Sequence, residues 1–114
     1  VNGVAKTPYT YTNQATGGNL SELQIARAGT TYSYNGNIDE ISIFNSVKST
    51  ADIVSIYNSG TPTDLSGESN LVGYWRNGDT AGTSVYPTIE DYSSNSNDGT
   101  MTNMDSGDIV TVVP

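Results

Sequence analysis

The feature of this sequence that most restricts its fold is a short alternating segment that leads directly into a helix. Within residues 36–45, Ile41 and Ile43 alternate with Glu40 and Ser42, which is the two-residue period of a β-strand with one apolar face. The chain is also rich in Gly, Ser, Thr, Asn and Tyr. Small polar residues and aromatic residues in this mixture favour an all-β protein with many turns.

A single helix is predicted near residues 49–58. Ser49 and Asp52 have the spacing of a capping pattern, in which a hydroxyl and a carboxylate satisfy free N–H groups of the first turn. Ile53 and Ile56 follow at helical spacing and provide an apolar stripe. A helix of roughly two to three turns is not stable alone, so we expect it to dock on a sheet.

The composition restricts the classes of partner. Four basic and twelve acidic residues give a formal net charge of −8 on 114 residues. Such a surface repels nucleic-acid phosphates and anionic lipids, and it tolerates divalent cations well. We therefore expect no nucleic-acid partner. No apolar run approaches transmembrane length, so no membrane insertion is expected.

An enzyme is not expected from these residues. The chain contains neither Cys nor His, so the usual nucleophile–base pairs of acyl-transfer enzymes are missing. A retaining glycosidase needs two carboxylates about 5 Å apart across a cleft. Asp39 and Glu40 are adjacent on the predicted strand and would face opposite sides.

Three segments carry a resemblance to a known family. They are the Tyr-Asn-Gly-Asn-Ile-Asp-Glu-Ile-Ser-Ile-Phe-Asn run at 34–45, the Leu-Val-Gly-Tyr-Trp run at 71–75, and the Asp/Asn-rich run at 91–100. Together they resemble laminin-G-like modules of the concanavalin A-like lectin and glucanase superfamily, including those in marine phage and environmental surface proteins. The resemblance implies an all-β jelly-roll sandwich, complete or partial, with one short helix.

The order of the segments is the reverse of the order in such modules, where the Leu-Val-Gly-Tyr-Trp strand opens the domain. We therefore interpret residues 1–60 as the closing half of a module, including the helix. Residues 61–70 are interpreted as a linker. Residues 71–114 then supply an opening-type strand, the Asp/Asn-rich loop and a C-terminal strand that pack into the same sandwich. We expect the chain to be part of a longer polypeptide or an oligomer.

The Asp/Asn-rich run is the candidate metal site. Residues 91–99 place oxygen-bearing side chains at every second position, and Ca²⁺ takes six to eight oxygen ligands. The resemblance implies a structural calcium ion held by Asp39, Asp91, Asn95 and Asn97. The alternative is an ordinary solvated turn, in which Ser, Asn and Asp are common because they hydrogen-bond to the nearby backbone.

Aromatic side chains are the candidate ligand-binding residues. Tyr9, Tyr11, Tyr32 and Tyr34 are the expected exposed rings, and such rings provide stacking area with a polar group at the end. Tyr74 and Trp75 point in opposite directions on a strand, so one of these two rings is expected in the core. Trp75 is the more suitable core residue.

These features predict a non-catalytic binding or adhesion module on an extracellular or virion surface. In the first hypothesis the module binds carbohydrate, with loops stabilised by calcium. In the alternative it is a structural assembly piece, such as a capsid decoration or fibre component, that pairs with neighbouring chains through exposed strand edges without binding sugar.

Overall fold

The structure, a computed structural model, describes residues 2–4, 6, 23–28, 32–77 and 85–110. Its regular elements, in chain order, are β1 (Arg27–Ala28), β2 (Tyr32–Ser33), β3 (Ile41–Phe44), α1 (Thr50–Tyr57), β4 (Leu71–Trp75), β5 (Thr88–Ile89) and β6 (Gly99–Thr100), with short 3-10 turns at Asn58–Gly60 and Ser106–Asp108. The described strands form three two-stranded antiparallel sheets. A small antiparallel β structure with one short helix is therefore confirmed, whereas the jelly-roll sandwich stays a prediction.

The chain divides into two compact units. The smaller unit comprises residues 6–37, and the larger one comprises residues 1–5 together with 38–114. In the smaller unit β1 pairs with β2, and the N–H of Tyr34 extends this ladder by donating to the carbonyl of Ala26 at 2.8 Å. The larger unit contains residues 38–60 of the predicted closing half, including its helix, and the predicted opening strand, whereas residues 6–37 of that half form the smaller unit.

The pairing of β3 with β4 organises the larger unit. Ile41 lies opposite Trp75, and after an irregularity in the register Phe44 lies opposite Leu71. The two strands thus belong to two of the three segments whose sequences carry the family resemblance. They are joined by α1 and by the segment that follows it.

The helix has the predicted position and cap. Ser49 is the N-cap: its hydroxyl accepts from the N–H of Asp52 at 3.2 Å, and the Asp52 carboxylate accepts from the N–H of Ser49 at 2.8 Å. The latter bond lowers the pKa of Asp52. Asn58 ends the helix in the left-handed region, with φ of 41°. Only Ile56 on this helix packs against the core cluster, so the docking is narrow.

The core cluster is small and lies beside β4. Its buried members are Leu65, Leu71 and Tyr74, and the residues packed against them are Phe44, Ile56 and Tyr92. The Tyr74 and Tyr92 rings meet edge to face, with their centroids 6.5 Å apart. Leu65 is 3% exposed and comes from the segment interpreted as a linker. That segment therefore contributes to the packing as well as to the connection.

The expectation that only one aromatic ring of β4 is buried is wrong. Tyr74 is 0% exposed and Trp75 is 7% exposed. The Trp75 indole folds against the glycine on its own face, since a Cβ on Gly73 would lie 2.9 Å from Trp75 Cζ3. The absence of a side chain at Gly73 creates the space that the indole fills, so both faces of β4 carry a buried ring.

Replacing Gly73 with Ala should therefore destabilise the fold. The added methyl overlaps the indole, and overpacking of this kind costs about 1–3 kcal/mol. The matched control is Gly67→Ala, because a Cβ on Gly67 meets no atom within 4 Å. The control should change the free energy of unfolding by less than about 0.5 kcal/mol. Urea titration followed by Trp fluorescence measures both variants, and equal effects would contradict the proposed packing.

Candidate functional site

The candidate site is residues 91–98, here called the Asp91 loop, which lie within the segment that connects β5 to β6. Its base is closed by antiparallel pairing of Thr88 with Thr100 and of Ile89 with Gly99. Its first residues join the free side of β4, because the N–H of Tyr92 donates to the carbonyl of Tyr74 at 2.8 Å. Two strands and one hydrogen-bonded edge thus fix where the loop begins and ends.

Asp91 is the first residue of the loop, and its carboxylate is the centre of the loop's hydrogen bonds. The residue is 5% exposed. Its Oδ1 accepts from the N–H groups of Tyr74 and Ser93, each at 2.8 Å. Its Oδ2 accepts from the N–H of Asn97 at 2.8 Å and from the hydroxyl of Ser93 at 2.9 Å. A carboxylate has about four lone-pair positions, so these donors fill its accepting capacity.

The pKa of Asp91 follows from this environment. Burial by itself raises the pKa of the carboxyl group, because it penalises the charged form. The backbone N–H donors of Ser93, Tyr74 and Asn97 stabilise the carboxylate and outweigh burial, so the pKa of Asp91 lies below its ordinary value. The group is therefore ionised at neutral pH even though it is buried.

The carbonyl oxygen of Val72 is the second centre of the loop. It lies 3.1 Å from the Ser93 hydroxyl, 2.9 Å from Nδ2 of Asn95 and 3.4 Å from Nδ2 of Asn97. The Ser93 hydroxyl has one proton, which is shared between this carbonyl and the Asp91 carboxylate. The alternating side chains identified in the sequence therefore converge on a backbone carbonyl of β4.

Two further bonds hold the loop against the strands. The indole N–H of Trp75 donates to the carbonyl of Asn97 at 3.0 Å, and the N–H of Asp91 donates to Oδ1 of Asp98 at 3.0 Å. The buried polar end of the Trp75 ring is thereby satisfied. Side chains, backbone and strand edge all contribute to one connected hydrogen-bond network.

The structure brings together three of the four residues implied for calcium. Asp91, Asn95 and Asn97 belong to the same loop beside β4. Asp39 precedes β3 and accepts from the N–H of Glu40 at 2.9 Å. Trp75 pairs with Ile41 of β3 on one edge and bridges to Asp91 on the other edge. The backbones of Ile41 and Asp91 are therefore two strand spacings apart, each about 4.8 Å, and Asp39 lies two residues before Ile41.

The chemistry of the loop limits how it can hold a cation. A metal bound by Asp91 has to displace N–H donors that already fill its oxygens. Asn95 and Asn97 direct amide nitrogens, not oxygens, at the shared carbonyl of Val72. In the part of the chain that the structure describes, no three Asp or Glu side chains form a group suited to a metal ion. The calcium site stays a prediction, and the four residues do not form one preassembled set.

A second polar cluster lies at the opposite edge of β4, and sequence reasoning missed it. The hydroxyl of Tyr74 donates to the carboxylate of Glu40, and it lies 3.1 Å from the carbonyl of Thr63. The other oxygen of Glu40 forms an ion pair with Nε of Arg76 at 3.2 Å. Burial, followed by the hydrogen bond to Glu40, raises the pKa of Tyr74 above its ordinary value. The phenol is therefore a donor throughout the physiological pH range.

Alternation along β3 predicts that Glu40 faces away from the apolar side chains. The φ angle of Glu40 is 50°, in the left-handed region that residues other than Gly adopt rarely. This kink ends the extended pattern just before β3. An Asp-Glu pair before an apolar run does not reveal such a kink, so no local signal identifies the cluster.

The predicted aromatic residues are only partly described. Tyr34 is 59% exposed, as expected for a ligand-contacting ring. The backbone of Tyr32 forms β2, and its side chain lies outside the described part of the structure. Tyr9 and Tyr11 also lie outside the described residues.

A shallow groove of about 480 Å³ runs beside α1 in the larger unit. Its lining residues are Asn2, Gly3, Val4, Val54, Ser55, Tyr57, Asn58 and Ser59. This lining includes no charged residue and three hydrophobic residues that are at least 38% exposed.

Within the described ranges no helix is long and apolar enough to cross a membrane.

Comparison with known proteins does not add a family: no family profile matches the sequence, and no curated protein or solved structure is significantly similar to it.

Replacing Asp91 with Asn should destabilise the larger unit by about 2–4 kcal/mol, because buried N–H donors lose charged acceptors. Glu90→Gln is the control, since Glu90 is adjacent and exposed. A carboxyl group with a lowered folded pKa contributes stability above the unfolded value of about 3.9 and loses it as pH falls through the folded pKa. The difference between wild type and Asp91→Asn should therefore narrow on acidification.

Unfolding in urea at several pH values measures this difference. An Asp91→Asn variant as stable as Glu90→Gln at neutral pH would contradict the central role of the carboxylate. A constant difference across the acidic range would contradict its ionisation in the folded chain.

Proposed function

We propose that this chain is a non-catalytic structural module of an extracellular or virion-surface protein, and that it functions by assembling with neighbouring copies or modules. The support is the imbalance between its buried and exposed apolar side chains. Among the described residues, five hydrophobic residues are buried and twelve large hydrophobic residues are exposed. A core of this size leaves apolar surface for a neighbour to cover.

Part of the exposed apolar surface lies on α1. Among the residues of α1 none is buried, although Ile53, Val54, Ile56 and Tyr57 are all apolar or aromatic. Ile56 packs towards the core cluster, while Val54 lies roughly 200° away around the helix and is 51% exposed. A helix that is apolar on opposite sides is typical of one with packing partners on both.

The proposed fold is part of a laminin-G-like jelly-roll sandwich. Support comes from the antiparallel pairing of β3 with β4, which joins two of the three segments that carry the family resemblance. The proposed location outside the cell or on a virion rests on the same resemblance. The non-catalytic assignment is supported by the lack of Cys and His in the sequence. It is also supported by the carboxylates of Glu40 and Asp91, which both accept hydrogen bonds from groups of the fold itself.

Assembly should be visible as concentration-dependent association of the full 114-residue chain in sedimentation velocity experiments. Val54→Asn should weaken it about fivefold to tenfold, since burial of the exposed part of a Val side chain contributes about 1 kcal/mol. Ser55→Asn is the matched control, because both positions are exposed and all three residue types have similar helix propensities. It should associate like wild type.

Thermal unfolding of dilute chain separates folding from association, and Val54→Asn should unfold like Ser55→Asn. A chain that stays monomeric over the whole accessible concentration range would contradict assembly between copies. Association that is equally strong in the two variants would contradict a role for this side of α1.

Carbohydrate binding is the second candidate, and the exposure of Tyr34 favours it. The ring is 59% exposed and its tip lies against Gly36, where a Cβ would meet Cε1 and Cζ at 2.9 Å. The ring tip thus lies beside the backbone of Gly36, while most of the side chain faces solvent. The carbohydrate hypothesis includes a calcium ion that stabilises the Asp91 loop. Rotation of the Asn95 and Asn97 amides by 180° would direct their oxygens at the point now occupied by their nitrogens, beside the Val72 carbonyl.

A glycan array with added calcium, and then with excess chelator, tests this candidate. Tyr34→Ala should reduce any sugar binding about tenfold through loss of stacking, whereas Tyr86→Ala, another exposed tyrosine at 44% exposure, should not. Loss of binding in chelator would support calcium. Absence of binding by wild type across a broad array would contradict the carbohydrate hypothesis and leave assembly unaffected.

A further inference from the structure

Three Asn-Gly steps occur in the chain, at Asn2-Gly3, Asn35-Gly36 and Asn77-Gly78. We propose that Asn35 is a modification site at which the folded chain deamidates spontaneously, ahead of the other two. The chemistry available to all three steps is the same, so their different surroundings decide the order.

The reaction needs only water. The backbone nitrogen of Gly36 loses its proton to solvent base and attacks Cγ of Asn35, which forms a C–N bond and a five-membered succinimide. Nδ2 of Asn35 leaves as ammonia after taking a proton from water. Water then opens the ring at either carbonyl and yields aspartate or isoaspartate. A following Gly favours the attack because it has no side chain to hinder the approach and its backbone is permissive.

Asn35 is the least restrained of the three. Asn35 and Gly36 are both exposed. They follow the last backbone bond of the β1–β2 ladder, from the N–H of Tyr34 to the carbonyl of Ala26. The atoms nearest to Gly36 belong to the tip of the Tyr34 ring, and that side chain is 59% exposed. The tip of an exposed side chain moves aside easily when the backbone rearranges.

Asn77 is restrained by its side chain. Its Nδ2 donates to the carbonyl of Ile38 at 3.1 Å, and its Oδ1 is enclosed without a hydrogen-bond partner in the described part of the structure. Rotation of Cγ towards the next backbone nitrogen requires loss of this bond and local opening beside β4. Reactions that need such opening are slowed by its free energy.

Asn2 is exposed, but the glycine after it is held. A Cβ on Gly3 would lie 2.6 Å from Cδ1 and 3.4 Å from Cβ of Tyr57. These atoms belong to the base of a side chain on α1, which has little freedom to move. The Gly3 backbone is thereby packed against the helix, and its nitrogen is less free to approach Cγ of Asn2.

Conversion of Asn35 has a chemical consequence at the surface. It adds one negative charge to a chain that carries −8, and it places that charge next to Tyr34. The isoaspartate product also inserts one additional atom into the backbone immediately after β2. The modification would therefore change the neighbourhood of an exposed aromatic ring while the larger unit keeps its own contacts.

Tryptic mapping of the aged full-length chain tests the inference. Cleavage after Lys6, Arg27, Lys48 and Arg76 places the three steps on separate peptides, residues 1–6, 28–48 and 77–114. After incubation of the native chain in mildly alkaline buffer, mass spectrometry of each peptide gives the acidic fraction. Asn35 should convert about tenfold faster than Asn77, which is protected by a hydrogen bond and local packing.

The same incubation in urea provides the control, because the three rates should converge when the structure is lost. Asn35→Gln should remove the main acidic species in the native chain and leave the other two sites unchanged. Equal native rates at the three steps, or faster conversion of Asn2 or Asn77, would overturn the inference. Rates that stay different in urea by the same factor would do so as well, because local sequence would then explain them.

Discussion

Backbone N–H groups of Tyr74, Ser93 and Asn97 all donate to one buried carboxylate, that of Asp91. If the carboxylate is removed, each of these N–H groups loses a charged acceptor. The charged acceptor makes each bond stronger than a neutral one. It also fixes the position of the loop relative to β4. Other contacts of the loop depend on this constraint. They are the hydrogen bond from the Trp75 indole to the carbonyl of Asn97 and the convergence of side chains on the carbonyl of Val72.

Tyr74 connects this network to the second polar cluster. Its N–H donates to Asp91 on one edge of β4, whereas its hydroxyl donates to Glu40, which is held in turn by Arg76. The ring between these two groups is 0% exposed and belongs to the hydrophobic cluster. A small core is thus combined with polar groups that have specific partners, and such networks specify one arrangement more strictly than apolar contacts alone.

Local signals predicted the elements that depend on local chemistry. The helix begins at a capping box formed by Ser49 and Asp52, and the spacing of these two residues is visible in the sequence. The alternation of apolar residues identified β3. Non-local consequences were less accessible. The spacing of Asp91, Asn95 and Asn97 suggested convergence on a cation, and the three do converge near one point, but the donors that surround Asp91 come partly from β4. The inward position of Glu40 depends on one unusual φ angle, which composition does not indicate.

The ion pair and hydrogen bond of Glu40 join residues that are 36 and 34 positions apart in the chain. The whole connection between β3 and β4, including α1, must therefore be closed before these contacts form. Closing a long connection costs conformational entropy before the stabilising contacts have formed, and this slows folding. The capped helix lies within this connection and shortens the distance that the remaining chain must span. The Asp91 loop in turn depends on β4, because its central carboxylate accepts from the N–H of Tyr74.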